Sequence, residues 1–280
     1  MITLYHILEL VGGLGLFLFG MHVMSEGIHR WAGVGMRRFL KAMTGRRLTG
    51  MLTGTGVTML VQSSSATTVL LVSLVNAGLI TLQESIGVIM GANIGTTFTA
   101  WIVSLIGFKF SISAIALPAV ALGTPLFFSR KEKRRDLASV LIGFGILFLG
   151  LATMKDAVPD IRNHPDMLAF VSHISHGGAW SVLLFVLIGS VLTIVIQSSS
   201  AAMAITITMA WNGWITFPLA AAIVLGENIG TTVTAYLASL GMNLPARRCA
   251  RAHFLFNIIG VCWILILYNP FLAFVDWIVP

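Results

Sequence analysis

The sequence predicts an all-α integral membrane protein folded as an inverted repeat, each copy with three transmembrane helices plus one re-entrant helical hairpin. Three observations predict this. Of the 280 residues, 57% are hydrophobic and 10% charged, and mean hydropathy is +0.93; a water-soluble domain carries roughly 25% charged residues. The string Gln62-Ser63-Ser64-Ser65-Ala66 returns unchanged as Gln197-Ser198-Ser199-Ser200-Ala201. Basic residues form clusters that one particular folding of the apolar segments brings to a single side of a membrane.

The first span covers 7–28. No basic start or small-residue cleavage site accompanies it, so it reads as a retained helix rather than a signal peptide. Residues 29–48 set Arg30, Arg37, Arg38, Lys41, Arg46 and Arg47 among Trp31, Met36, Phe39 and Leu40, the pattern of an amphipathic helix on the inner surface. The apolar stretch 49–78 is interrupted by the Gln-Ser-Ser-Ser string. Each half holds about a dozen residues, roughly 18 Å of helix, too short for a hydrocarbon core about 30 Å thick. Spans at 85–107 and 111–128 complete the first repeat, residues 1–130. The second repeat, 131–280, has spans at 137–157, 214–240 and 253–270 and its own interrupted segment at 178–212. The two repeats make one transmembrane domain.

The basic clusters decide between crossing and turning back. They lie at Arg30 to Arg47, at Arg130, Lys131, Lys133, Arg134 and Arg135, and at Arg247, Arg248 and Arg251. If both interrupted segments are hairpins, all the clusters share one side, which the positive-inside rule makes cytoplasmic. If each segment crosses once, the cluster at 130–135 is stranded outside. Three crossings per copy is an odd number, so the second copy is upside down and its hairpin approaches from the opposite leaflet. A bacterial inner membrane, with basic loops in the cytoplasm, is the expected location. A weaker echo, Gly15-Leu16-Phe17-Leu18-Phe19-Gly20 against Gly145-Ile146-Leu147-Phe148-Leu149-Gly150, extends the duplication upstream. Glycines of this kind let membrane helices approach closely.

The net charge of +7 follows from topology and points to the lipid bilayer as partner, not to nucleic acid. Cys249 and Cys262 make neither a metal-like spacing nor a disulfide pattern. His164, His173 and His176 with Asp160 and Asp166 read as a solvated linker. His22, inside the first span, is the histidine with the stronger claim to a function; His253 reads as packed and hydrogen-bonded. A serine hydrolase is excluded because no histidine repeats with the serine strings to act as base.

Polar strings inside apolar segments survive only within protein or beside a water-filled cavity. A break at Gln62 frees carbonyls at the end of one half-helix and amides at the start of the next. Serine is a strong N-cap, so Ser63 or Ser64, and in the second copy Ser198 or Ser199, begin half-helices whose positive ends suit an anion. Na⁺ prefers hard oxygen ligands. The candidates are Gln62, Ser65, Thr96 and Thr97, with Gln197, Ser200, Thr231 and Thr232 as their equivalents. Asn93 and Asn228, in Gly91-Ala92-Asn93-Ile94-Gly95-Thr96-Thr97 and Gly226-Glu227-Asn228-Ile229-Gly230-Thr231-Thr232, join the anion group. Counted along their spans, they are expected to lie level with the hairpin tips. Few carboxylates are embedded, so the coupling ion is expected to be Na⁺ rather than a proton.

The doubled Gln-Ser-Ser-Ser-Ala and Gly-x-Asn-Ile-Gly-Thr-Thr strings, with the segment Arg247 to Asn257 after the second, resemble the type II sodium–phosphate cotransporter family over almost the whole chain. The resemblance implies inward symport of inorganic phosphate with Na⁺ by alternating access around the two hairpins, the site falling on 62–65 and 197–200. The chain departs from animal members in its short linker at 159–177, and from its own first copy in placing Glu227 where Ala92 stands. A sodium-coupled dicarboxylate or sulfate transporter and an anion channel are the competing readings, and a homo-oligomer is compatible with each.

Overall fold

The computed structural model describes residues 4–32, 47–109, 112–157 and 178–278. The amphipathic helix expected at 29–48 and the linker histidines lie largely or wholly outside these residues. Every regular element described is a helix. The first repeat contributes α1 (Leu4–Ala32), α2 (Arg47–Val61), α3 (Ser64–Asn76), α4 (Leu82–Lys109) and α5 (Ile112–Phe127). The second contributes α6 (Glu132–Ala157), α7 (Ala179–Ile196), α8 (Ser199–Trp211), α9 (Phe217–Ala238), α10 (Leu244–Ile266) and α11 (Tyr268–Ile278). Six helices, α1, α4, α6, α7, α9 and α10, are long and apolar enough to cross a membrane.

Several boundaries differ from those expected. The segment taken as a span at 111–128 folds as a helix over nearly the same residues, but its 16 described residues, with Pro118 and Pro125 inside, fall below the length of the six candidate spans. The half-helices before the breaks exceed a dozen residues, at 15 in α2 and 18 in α7. The span expected at 253–270 begins at Leu244 instead. Asn243 caps it by accepting from the Ala246 amide at 3.1 Å, and Pro245 suits its first turn. Arg247, Arg248 and Arg251 are exposed over its first two turns, where long basic side chains reach an interface.

Glycines set the helix pairs. A Cβ placed on Gly20 of α1 would lie 2.2 Å from the Leu147 nitrogen of α6, and one on Gly150 would lie 2.3 Å from the Phe17 nitrogen. Gly13 meets Met154 and Gly27 meets Asp136, so positions rise along α1 as they fall along α6, and the two helices run antiparallel. In α2 and α4 a Cβ on Gly91 would stand 1.9 Å from the Met51 carbonyl oxygen, and one on Gly95 2.7 Å from that of Thr55. There the positions rise together, so this pair is parallel. The second copy repeats the arrangement: Gly226 meets the Val186 carbonyl at 1.9 Å and Gly230 that of Ser190 at 2.5 Å, on α9 and α7. Of the glycines expected to let helices approach, Gly20, Gly145 and Gly150 do so, whereas nothing lies within 4 Å of a Cβ on Gly15.

Matched turns frame the short helices. Gly78 and Gly213 carry φ of 68° and 81° after α3 and α8, a conformation glycine adopts without steric cost. Thr81 and Glu84 then cap α4 reciprocally, the Thr81 amide and hydroxyl donating to Glu84 Oε2 at 2.8 and 2.7 Å. The end of α3 is tied to the start of α10, the Asn243 amide donating to Asn76 Oδ1 at 2.9 Å. The end of α8 is tied to the end of α6, Asn212 Nδ2 donating to the Lys155 carbonyl at 3.1 Å.

Candidate functional site

The two repeated strings fold into near-identical breaks. Gln62 and Gln197 hold φ of 57° and 60°, the only non-glycine residues with positive φ among those described. A left-handed residue other than glycine costs roughly 1–2 kcal/mol, so strain stored twice at matched positions marks these bends as deliberate. Each glutamine amide still donates to the preceding turn, to Thr58 at 2.7 Å and Thr193 at 2.8 Å. The next residues swing to extended backbone, Ser63 at φ −148° and Ser198 at φ −146°. Their hydroxyls then cap α3 and α8, accepting from the Ala66 amide at 3.1 Å and the Ala201 amide at 3.3 Å. Ser63 and Ser198, rather than Ser64 and Ser199, are therefore the N-caps.

Both breaks line one cavity of about 460 Å³. Gln62, Ser63 and Ser65 reach it from the first copy, and Gln197, Ser198, Ser199 and Ser200 from the second. A third wall comes from α1, with His22, Ser25 and Glu26. Ser25 Oγ donates to the Val61 carbonyl at 2.7 Å, satisfying a group freed where α2 ends. Glu26 is ion-paired with Arg30 one turn on.

The copies are not equivalent in detail. Gln62 is buried: its Oε1 accepts from Thr99 Oγ1 of α4 at 2.8 Å, and its Nε2 donates to the Met59 carbonyl. Gln197 is exposed, with Nε2 donating to the Ile194 carbonyl at 3.0 Å. Thr234, the counterpart of Thr99, instead contacts Ser65 Oγ of the other copy at 3.3 Å. One threonine thus braces its own glutamine, and its twin joins the two repeats.

The remaining expected residues lie beyond the cavity lining. Ser64 is buried, its carbonyl accepting from Thr68. Asn93 Nδ2 donates to Asn257 Oδ1 of α10 at 3.3 Å, and Asn228 Nδ2 to the Val224 carbonyl of its own helix at 3.1 Å. Thr99, six residues beyond Asn93, is the residue level with the first tip. Thr96, Thr97, Thr231 and Thr232 donate to carbonyls of their own helices. Sequence reasoning missed Thr99 and Thr234 as partners of the tips, although both keep the register of the duplication. It had no signal for Ser25 or Glu26, which belong to neither repeated string. His253 is packed as expected, but neither ring nitrogen has a hydrogen-bond partner.

Six helices long and apolar enough to cross a membrane, one of them (α7) leading into the second break, surround one polar cavity and fit a multi-pass membrane protein of transporter class. The chain belongs to the Na⁺/Pi-cotransporter family, which it matches over residues 16–156 and 176–274. That family is one of transporters and not a class of enzymes. Over 99% of its length the chain is 32% identical to YjbB of Salmonella typhimurium, a protein named for inorganic phosphate export, of which the match covers 49%. It is 31% identical over 94% of its length to YqeW of Bacillus subtilis, covering 83% of that protein. A shorter stretch, 34% of the chain, is 38% identical to human sodium-dependent phosphate transport protein 2B, of which it covers 14%. The chain spans about half the length of the YjbB relatives it matches. No solved structure matches it.

Proposed function

We propose that this chain is a secondary transporter that moves inorganic phosphate together with Na⁺ by alternating access around two inverted hairpins. The observation that carries the reading is the shared cavity: two Gln-Ser-Ser-Ser breaks from different repeats face one space. Two helix N-termini, α3 and α8, begin there, each equivalent to roughly half a positive charge. Ser63, Ser198 and Ser199, which line the cavity, form the phosphate group, with Ser64, Asn93 and Asn228 set back behind them. Gln62, Ser65, Gln197 and Ser200 supply Na⁺ oxygens beside it. Thr96, Thr97, Thr231 and Thr232 turn their hydroxyl hydrogens to their own backbone and keep lone pairs for a cation. A cation next to a polyanion offsets its charge, which makes each the condition for the other's binding.

Three features support inversion. The antiparallel helices α1 and α6 are sequence equivalents, and their closest contacts exchange partners, Gly20 on Leu147 and Gly150 on Phe17. Second, α2 starts beside the start of α4, where Gly87 meets Arg47, and its tip reaches Thr99 before α3 returns. At 15 and 13 residues, α2 and α3 are roughly 22 and 20 Å long, short of a crossing. Third, α9 runs from the base of the second hairpin to the base of the first, so the hairpins approach from opposite ends. The end of α6 meets the base of the second hairpin and α10 starts at the base of the first, so the basic clusters at 130–135 and 247–251 share a side. That side is cytoplasmic by the positive-inside rule, in a bacterial inner membrane. Single cysteines at Ser129 and Leu244, with Cys249 and Cys262 replaced, are expected to react with an impermeant thiol reagent from the same side. Labelling from opposite sides would overturn the topology.

Radiolabelled phosphate flux into proteoliposomes tests the function. An inward Na⁺ gradient is expected to drive uptake that an equal K⁺ gradient does not, with arsenate competing and succinate or sulfate failing to. Competition by succinate or sulfate alone would reassign the substrate, and currents far above carrier turnover would mark a channel. Export is the second reading, favoured by the name of the YjbB relatives. A symporter is reversible, so efflux from loaded vesicles that needs internal Na⁺ fits the proposal. Efflux indifferent to Na⁺ would favour an uncoupled exporter.

A further inference from the structure

We propose that Glu227 and Thr206 form a site for one monovalent cation that exists in the second repeat alone. Glu227 lies on α9 with 1% of its surface exposed. Its Oε1 is 2.7 Å from Thr206 Oγ1 on α8, and its Oε2 has no hydrogen-bond partner. No ion pair among the described residues involves it. The helices packed most closely on α9 are α3, α7, α8 and α10. The first three carry no ionisable side chain. Helix α10 carries exposed Arg247, Arg248 and Arg251 at its start, and buried His253, which makes no ion pair with Glu227. A bare carboxylate so placed costs several kcal/mol, so a positive charge must accompany it.

The duplication shows that this charge is an addition. At the equivalent positions the first copy has Leu71, clustered with Val88 and Ile89 of α4, and Ala92, each 1% exposed. The second copy replaces both members together, by Thr206 and Glu227. A third change accompanies them. Thr58 Oγ1 donates to Thr67 Oγ1 at 3.2 Å, but the counterpart of Thr67 is Ala202, and Thr193 Oγ1 is left with no partner. Thr193 packs on Gly230, one turn from Glu227. The seam of α7, α8 and α9 thus gathers oxygens that its twin lacks.

The Thr206 hydroxyl has one hydrogen and two acceptors in reach, the Ala202 carbonyl at 3.0 Å and Glu227 Oε1 at 2.7 Å. When it donates to Ala202, lone pairs of Thr206 and Glu227 face each other, and a cation is what reconciles them. Na⁺ and H⁺ both supply that charge. Glu227 stands two turns before Thr234 on α9, roughly 10 Å along the axis, and Thr234 contacts Ser65 at the cavity. The site therefore adds positive charge on one flank of the anion pocket. This role in transport rests on the function proposed above; the binding of the ion does not.

Two measurements test it. Purified wild type, Glu227→Gln and the double variant Thr206→Leu/Glu227→Ala are compared in phosphate-free detergent by infrared spectroscopy, in Na⁺ or K⁺ across a pH series. The double variant installs the pair the first copy already packs. Wild type is expected to show a carboxyl band that both variants lack and that changes form with Na⁺ or with pH. A change with Na⁺ at constant pH identifies Na⁺; a change with pH alone identifies the proton. A band held in one form under every condition overturns the proposal. In proteoliposomes both variants are expected to move one positive charge fewer per phosphate, and an unchanged ratio in both overturns the role of the ion in transport. Absence of phosphate flux in wild type would sink the transport reading while the infrared result still decides the site.

Discussion

Gln62→Ala is expected to lower Na⁺-driven phosphate flux about 10- to 100-fold and to lower the unfolding temperature too. Gln197→Ala is expected to cause a similar loss of flux with unfolding near wild type. The flux estimate takes a lost hydrogen bond to a charged group as about 1.5–3 kcal/mol, with about 1.4 kcal/mol per tenfold. The difference in stability follows from the surroundings. Gln62 is 7% exposed and accepts from Thr99, itself 6% exposed, so alanine leaves a buried hydroxyl without its acceptor. That costs about 1–3 kcal/mol. Gln197 is exposed, and its Nε2 bond stays within its own helix end. Gln62→Gly separates side chain from backbone: it relieves the left-handed strain yet removes the amide, and flux is expected to stay low. Full flux in Gln197→Ala would remove the second break from the site. Equal thermal losses in the two alanine variants would refute the asymmetry.

Adding one methyl group at Gly91 or Gly226 is expected to be as damaging as losing a tip. In each case the new Cβ would stand 1.9 Å from a backbone carbonyl oxygen, that of Met51 or Val186. No side-chain rearrangement relieves a clash with backbone, so the parallel helices α2 and α4, or α7 and α9, must part. Overpacking of this kind costs about 1–3 kcal/mol and sometimes more, and here it would also displace a tip from the cavity. Thermal unfolding and size-exclusion profiles of Gly91→Ala and Gly226→Ala measure it. Gly12→Ala is the control, because nothing lies within 4 Å of a Cβ there. A stable, monodisperse Gly226→Ala protein would show that the α7–α9 approach is not required.

The legible part of this protein was whatever repeats. Gln62 and Gln197, Gly78 and Gly213, Gly91 and Gly226 each sit 135 residues apart, and each pair has the same backbone task in both copies. Local chemistry explains that agreement, since caps, left-handed bends and glycine contacts depend on neighbours in the chain. Where local signals compete, the reading slipped. The segment at 111–128 has the composition of a span and forms a helix there, but with 16 described residues and two prolines it is shorter than the six candidate spans. The tenth helix was placed too late because its first turn is basic, although Asn243 and Pro245 announce its start. Asn93 was set level with the tips by counting along one helix. The depth of a tip depends on how far α2 slides along α4, and Thr99 takes that place.

Sequence alone established a membrane protein of two related halves, with a polar break in each, and pointed to the family. Those properties follow from composition, from spacing and from the energetic penalty of open backbone in hydrocarbon. Tertiary structure decided that the breaks share a cavity, that α1 lines it with His22, Ser25 and Glu26, and that one glutamine is braced by a neighbouring helix while its twin bonds only its own helix end. It also set Glu227 beside Thr206 with an oxygen unpaired. The physical reason is distance along the chain: contacts such as Thr234 with Ser65 join residues 169 apart, and the packing of whole helices, not any local pattern, sets which of them meet.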